Sequence, residues 1–256
     1  MQYIVLAAGR GKRLKKQTLN IPKVLVKIKN KSILEYQLKL LEKFKFNRKI
    51  ILTGYKHEKI KEKKIQAILV KNKDYLKTNM LYTLFLSKKF LIEEDSIIAY
   101  GDIIFEEKIL RNLINSRKEF VVVIDKDWKR LWNLRHGKII KDFESLEIKR
   151  NKIVDIGRKI KNSKKIQGQY IGLIKIKKKT MKLVLDYYKK LRKMKSFENE
   201  NIKKMYFTTF IRYLISKNIE ISPLTIKSGW LELDTIKDLN NYNKNKKIST
   251  YCNLIR

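Results

Sequence analysis

The chain of 256 residues contains one cysteine, two prolines, two histidines, three tryptophans and nine glycines. A single cysteine, Cys252, excludes an internal disulfide and a thiolate-built metal cage. The histidines, His57 and His136, are isolated from each other in sequence, and base rates place both at the surface. No apolar run reaches the roughly 18 residues that span a bilayer. The first apolar stretch lacks a basic leader and stops at Gly9-Arg10, unlike a secretory signal. A cytoplasmic protein without a membrane segment is the expectation. There is no internal repeat and no Pro/Gly/Ser-rich linker, so the chain reads as one domain over residues 1–256.

Acidic residues are also scarce: 25 Asp plus Glu stand against 62 Lys plus Arg, a formal net charge of +37. The excess is mostly lysine, scattered in pairs and triplets such as Lys177-Lys178-Lys179 rather than gathered into an arm or stripe. Lysine travels here with abundant Ile and Asn, which share A/T-rich codons, so base composition accounts for the excess as well as a polyanion partner does. No specific nucleic-acid partner is expected. Whatever its origin, the field favours anionic ligands.

What the chain does contain is alternation. Strand-length apolar runs at Tyr3–Ala8, Val24–Ile28, Lys49–Thr53, Ile68–Val70, Ser96–Tyr100 and Glu119–Ile124 alternate with helical spacings at Ile33–Phe44, Met80–Phe90 and Glu107–Ile114. This order predicts an α/β fold with a Rossmann-like, mostly parallel sheet flanked by helices. Residues 1–125 make up its regular half and 126–256 its less regular half. In the second half, Lys138–Ile156 reads as short antiparallel strands with turns at Gly137 and Asn151. Gln169–Ile176 and Gly229–Thr235 read as strands, and Thr180–Leu191, Met205–Ser216 and Ile236–Tyr242 as helices. The lysine-rich stretch 192–204 reads as a loop or lid.

Three segments carry chemistry. Leu6-Ala7-Ala8-Gly9-Arg10-Gly11-Lys12-Arg13-Leu14 ends a strand in small residues and two glycines, which lets the backbone approach a phosphate; Arg13, and Lys23 after Pro22, can neutralise its charge. It is neither a Walker loop nor the Gly-x-Gly-x-x-Gly fingerprint. Tyr100-Gly101-Asp102 brings a carboxylate to a strand end. In Gly229-Trp230-Leu231-Glu232-Leu233-Asp234-Thr235, alternation places Trp230, Glu232 and Asp234 on one face. Each aspartate alone reads equally as a turn former or helix cap. Two carboxylates reaching one phosphate turn suit Mg²⁺, which takes one or two carboxylates plus substrate oxygens.

Leu-Ala-Ala-Gly-x-Gly-x-Arg-Leu followed by Pro-Lys resembles the signature of the nucleotidyltransferases that activate sugar phosphates and choline phosphate with an NTP. Gly-Asp after the central strand and Glu-x-Asp-Thr near the C-terminus are similar to that family's metal-binding places. The resemblance implies nucleotide contacts at Leu6, Ala7, Ala8, Gly9, Gly11, Asn79 and Gly101, with Asn79 equally readable as a helix N-cap. It implies Mg²⁺ on Asp102 and Asp234, triphosphate contacts at Arg13 and Lys23, and a further lysine facing the substrate phosphate within Asp155-Ile156-Gly157-Arg158-Lys159. Lys159 is the choice there, although sequence does not separate it from Arg158.

Within the superfamily the chain is most similar to the cytidylyltransferases for choline phosphate and 2-aminoethylphosphonate. The similarity rests on Asp127-Trp128-Lys129-Arg130-Leu131-Trp132 and Gln167-Gly168-Gln169-Tyr170-Ile171-Gly172-Leu173, and on the lack of a Glu-Lys-Pro segment and a Gly-rich sugar loop. The implied partners are a nucleoside triphosphate, with CTP favoured, and a small phosphorylated acceptor, handled by a nucleotide-binding half (1–125) and an acceptor-binding half (126–256) of a monomer or homodimer. Trp128, Trp132, Tyr206 and Trp230 are the acceptor-binding candidates, each readable instead as core. The chain departs from its relatives at Tyr206-Phe207-Thr208-Thr209-Phe210, where an acidic residue is common. The alternatives are a sugar-1-phosphate nucleotidyltransferase using UTP or dTTP, and a non-catalytic RNA or polyanion binder on the same fold.

Overall fold

Seven strands form one sheet in the computed structural model, which describes residues 1–137, 143–160, 166–244 and 246–255. In chain order they are β1 (Gln2–Ala7), β2 (Arg48–Thr53), β3 (Ile68–Lys71), β4 (Ser96–Tyr100), β5 (Phe120–Asp125), β6 (Gln169–Ile176) and β7 (Ser222–Ile226). Their spatial order is β7-β5-β6-β4-β1-β2-β3. All neighbours run parallel except β6, which is antiparallel to both β4 and β5. Strands from both halves of the chain thus share one sheet.

The strands are apolar on both faces because both are covered. Tyr3, Val5, Ile51, Ile97, Ala99 and Val121 enter the core on one side, while Ile4, Leu6, Ile50, Ile98, Val122 and Ile124 enter the core on the other. Helices α1 (Ile33–Leu41), α2 (His57–Lys61), α3 (Met80–Phe85), α4 (Lys88–Leu91) and α5 (Glu107–Asn115) lie in the first half. The second half contributes α6 (Trp128–His136), α7 (Lys178–Arg192), α8 (Phe207–Ile215) and α9 (Ile236–Lys244). Helix α1 begins at a capping box: the Ser32 hydroxyl accepts from the Glu35 N–H, and the Glu35 carboxylate from the Ser32 N–H.

After β1 the chain builds β2 and β3 on one side, then crosses to lay β4 on the other. The C-terminal ends of β1 and β4 therefore flank the point where strand order reverses, the place where ligands dock on α/β sheets.

Several elements differ from the sequence expectation. Val24–Ile28 is a 3₁₀ turn over Lys23–Leu25 followed by a two-residue strand, Lys27–Ile28, because Pro22 starts a turn there. The helical pattern of 80–90 splits into α3 and α4 at Leu86-Ser87, where the Ser87 hydroxyl donates to the Leu84 carbonyl at 2.6 Å. Trp128–His136 is helical, which the aromatic segment did not announce. Phe143–Lys149 and Lys152–Ile160 form the expected antiparallel ribbon, turning at Arg150-Asn151; the rest of that expectation, residues 138–142, lies outside the described residues.

Within 192–204 the chain folds into a small hairpin, Ser196–Phe197 with Glu200–Asn201, whose turn residues Glu198 and Asn199 both have positive φ. Trp230–Glu232 stands apart from the main sheet and pairs instead with Ile103–Phe105. No helix among the described residues is long and apolar enough to cross a membrane.

Candidate active site

The ribbon of Ile103–Phe105 with Trp230–Glu232 builds the site. Its register sets Ile103 opposite Glu232, and the Leu233 N–H donates to the Asp102 carbonyl at 2.8 Å. Two carboxylates far apart in sequence, Asp102 just before one strand and Asp234 just after the other, are thereby drawn together. Gly101 lets the chain leave β4 against β1: its N–H donates to the Leu6 carbonyl at 3.0 Å, and a Cβ there would sit 2.5 Å from that oxygen.

Lys23 closes the third side. Its ammonium donates to Asp102 Oδ2 at 2.8 Å and to Asp234 Oδ1 at 3.2 Å. Gly11 seats it: with φ of +74°, and with a Cβ that would approach the Lys23 stem to 2.9 Å, this position excludes a side chain. Burial works against the Lys23 charge, yet Asp102, Asp234 and Glu232 outweigh it and hold the ammonium protonated above its ordinary range. Arg13, from the 3₁₀ helix Lys12–Thr18, reaches Asp234 Oδ2 at 2.5 Å. Asp102 Oδ1 is buried without a hydrogen-bond partner, so it keeps acceptor capacity that a cation could use.

Two cavities, each of about 310 Å³, open on either side of this cluster. The first is lined by Leu6, Ala7, Ala8, Gly9, Gly11, Arg13 and Lys23 on one side and by Tyr75, Asn79 and Met80 on the other, with Gly101, Asp102 and Asp234 at its floor. Every nucleotide-contact candidate from the sequence thus borders one space. Asn79 is also an N-cap: its Oδ1 accepts from the Met80 N–H at 2.8 Å, while its Nδ2 donates to the Lys204 carbonyl at 3.1 Å.

The second cavity shares Arg13, Met80, Tyr100 and Asp234 with the first. Trp128, Trp132, Tyr206 and Trp230 all border it, joined by Tyr170, Glu144 and Glu232. Helix α6 puts Trp128 and Trp132 one turn apart, edge to face at 5.6 Å. The three tryptophans are buried (3%, 8% and 1% exposed), so they serve as core and cavity wall together, whereas Tyr206 is 54% exposed. The Trp230 indole N–H donates to the buried Asp125 at 3.0 Å, and Trp132 donates to Gln169 at 2.7 Å.

Lys159 is not brought here. It is exposed on the 152–160 strand, in register with Glu144, and borders neither cavity. Its neighbour Arg158 is committed to Asp155 at 3.0 Å and Glu198 at 3.1 Å.

Sequence reading missed other residues. His136, expected at the surface, is half-buried on the second cavity wall, where burial and then Arg135 lower its titration. Arg135 is buried beside Glu232 and Asp238. Asp238 was legible, since Thr235-Ile236-Lys237-Asp238 spells a capping box. Arg135 carried a signal too: it follows Trp128 and Trp132 at i+7 and i+3, on one helix face.

The donor set fits a hard divalent cation in part. Among the described residues no group of three or more His, Cys, Asp or Glu side chains closes a metal site. Asp102 and Asp234 alone leave the remaining positions to substrate phosphate oxygens and water, as a phosphate-bound Mg²⁺ requires.

A strand-end glycine turn and two carboxylates, set between two cavities at the switch point of a mostly parallel sheet, define a nucleotidyltransferase. The chain belongs to the MobA-like NTP transferase domain family, whose pattern matches residues 3–188. It is 33% identical over 248 residues to the CTP:phosphoglutamine cytidylyltransferase of Campylobacter jejuni, covering 93% of this chain and 98% of that protein. It is 34% identical over 139 residues to the choline-phosphate cytidylyltransferase of Streptococcus pneumoniae, covering 54% of this chain and 59% of that one. In fold, it is similar to the solved CTP:phosphocholine cytidylyltransferase of Streptococcus pneumoniae, with a TM-score of 0.74 at 23% identity over 95% of this chain and 97% of that one. The inositol-1-phosphate CTP transferase of T. maritima gives 0.74 at 22% identity over 99% and 95%.

Proposed function

We propose that the protein transfers a cytidylyl group from CTP to a small phosphorylated acceptor bearing a cationic nitrogen, with release of pyrophosphate. The observation that carries this reading is the junction: two equal cavities meet at Arg13 and Asp234, beside the Lys23-bridged carboxylates. Both named cytidylyltransferase relatives act on phosphorylated compounds that carry nitrogen. The aromatic walls and the carboxylates of Glu144 and Glu232 suit an ammonium group, since a cation over an aromatic face gains roughly 0.5–2 kcal/mol.

In the reaction, an acceptor phosphate oxygen attacks the α-phosphorus of CTP in line. The bond from that phosphorus to the bridging oxygen breaks, and pyrophosphate departs with the electron pair. The first cavity holds the nucleotide with its phosphates at the Gly9–Gly11 turn, and the second aligns the acceptor. Arg13 and Lys23 exchange their carboxylate partners for phosphate oxygens and neutralise the leaving pyrophosphate. Asp102 and Asp234 would hold Mg²⁺, which when bound neutralises α-phosphate charge. Most of the barrier lowering comes from alignment and charge, so no protein base is required.

The test is pyrophosphate release over a grid of CTP, UTP and dTTP against phosphoglutamine, choline phosphate, 2-aminoethylphosphonate and glucose 1-phosphate. CTP with a nitrogen-bearing acceptor should give the highest kcat/KM. Because Tyr206 is exposed, Tyr206→Ala should keep the fold while raising the acceptor KM about two- to thirtyfold, the span of about 0.5–2 kcal/mol, and leaving the CTP KM unchanged. Glucose 1-phosphate as the best acceptor would overturn the cationic-acceptor reading.

A further inference from the structure

Behind the site lies an ion cluster. The Arg135 guanidinium, 4% exposed, donates from Nε to Asp238 Oδ1 at 2.9 Å and from Nη2 to Asp238 Oδ2 at 3.0 Å. Its remaining nitrogen, Nη1, donates to Glu232 Oε2 at 2.8 Å. Asp238 is fully buried, and its Oδ2 accepts three further hydrogen bonds: from the Asp234 N–H at 3.1 Å, the Thr235 N–H at 2.8 Å and the Thr235 hydroxyl at 3.0 Å. The Asp238 N–H donates back to the Thr235 hydroxyl at 3.2 Å, which completes the cap of α9.

We infer that Arg135 and Asp238 are positioning residues: together they fix the Asp234-Thr235 turn, and Arg135 sets the Glu232 carboxylate on the acceptor wall. The inference deepens the cytidylyltransferase reading and rests on it for its kinetic half.

Three facts lead here. Asp238 binds the backbone of the residue whose carboxylate faces Lys23, so the direction of that carboxylate depends on it. Arg135 spends every side of its fork on these two acids, and a lysine cannot reproduce a bidentate pair plus a third bond. Arg135 also stands on the α6 face that carries Trp128 and Trp132, so one side chain ties the wall of the second cavity to the Asp234-Thr235 turn. Arg135 pairs with the buried Asp238 and, through its remaining nitrogen, ties Glu232 to the wall of the second cavity. An arginine placed only for packing would have no need of Glu232.

The experiment has two arms. Hydrogen exchange of the substrate-free protein reads the geometry directly. In Arg135→Lys and in Thr235→Val, amides of 233–236 should exchange at least about tenfold faster, with those of β1 and β4 unchanged, since local opening is set by lost hydrogen bonds. Thr235→Val keeps the buried ion pair intact, so it decides the matter if Arg135→Lys fails to fold. Wild-type exchange at 233–236 in the folded variants would overturn the inference.

Steady-state kinetics with CTP and choline phosphate form the second arm. Arg135→Lys should raise the acceptor KM and lower kcat, each by about tenfold or more, with the CTP KM within about twofold. A parallel rise in both KM values at unchanged kcat would overturn the positioning role. Absence of turnover by the wild-type protein with choline phosphate and with every other acceptor of the grid would instead count against the cytidylyltransferase reading, and hydrogen exchange would still decide the geometry.

Discussion

In the proposed reaction one side chain, Lys23, serves two states of the site. Without substrate, its ammonium lies between Asp102 and Asp234 and, with Arg13, keeps two carboxylates from facing each other uncompensated. That is also where a divalent cation between those carboxylates would have to be, so the two compete in the absence of a nucleotide. At about 4 Å and an effective dielectric near 20, a unit charge is worth up to about 4 kcal/mol. Lys23→Met is therefore expected to bind Mn²⁺ at least about tenfold more tightly than wild type in the nucleotide-free protein. It should also turn over at least about a hundredfold more slowly, for lack of charge on the leaving pyrophosphate. Titration calorimetry reads the first effect, and unchanged or weaker Mn²⁺ binding would contradict it. Asp102→Asn and Asp234→Asn should move both quantities down together, by about a hundredfold in turnover.

At the scale of elements, the site depends on a ribbon that periodicity does not reveal. Ile103–Phe105 and Trp230–Glu232 are only three residues each, and their pairing spans more than a hundred residues of sequence. The glycine turn, Lys23 and both aspartates were legible because each follows a strand-length apolar run or a proline. The depth of the tryptophans was not, because an aromatic at i, i+4 reads alike as core or as cavity lining. Nor was the ion cluster as a whole: the Thr235-Asp238 cap is local, but its arginine arrives from α6.

The same elements enclose Asp125 at the end of β5, which accepts hydrogen bonds from the Trp230 indole, the Tyr251 hydroxyl and the Asp127 N–H. Burial raises its titration above the ordinary 3.8, and the Tyr251 and Trp230 bonds only partly offset this. The folded state thus holds this proton more tightly than the unfolded chain. The resulting stability is complete below about 3.8 and is lost as pH rises through the higher folded value. Against an Asp125→Asn variant, wild type should show its largest relative Tm at pH 3 and a smaller one at pH 7. A relative Tm that grows with pH would contradict the assignment.

Over the whole molecule, the sheet organises everything else. β1 and β4 deliver the phosphate turn and the first carboxylate at the reversal of strand order, and the second half of the chain folds back to supply the other carboxylate and the second cavity. The net charge of +37 gives the molecule a field that favours anionic ligands. Inside the site the balance is different: Lys23 and Arg13 meet Asp102 and Asp234, two cations against two carboxylates. In the proposed reaction the two cavities meet at one phosphorus. Phosphorus-31 NMR of a reaction containing CTP, Mg²⁺ and phosphoglutamine or choline phosphate tests it most directly. A pair of mutually coupled diphosphate signals from a cytidine diphosphate-linked product should grow in equal amount with pyrophosphate, and about a hundredfold more slowly with Asp234→Asn. Release of CMP without a coupled product, or no consumption of CTP with any phosphorylated acceptor, would contradict it.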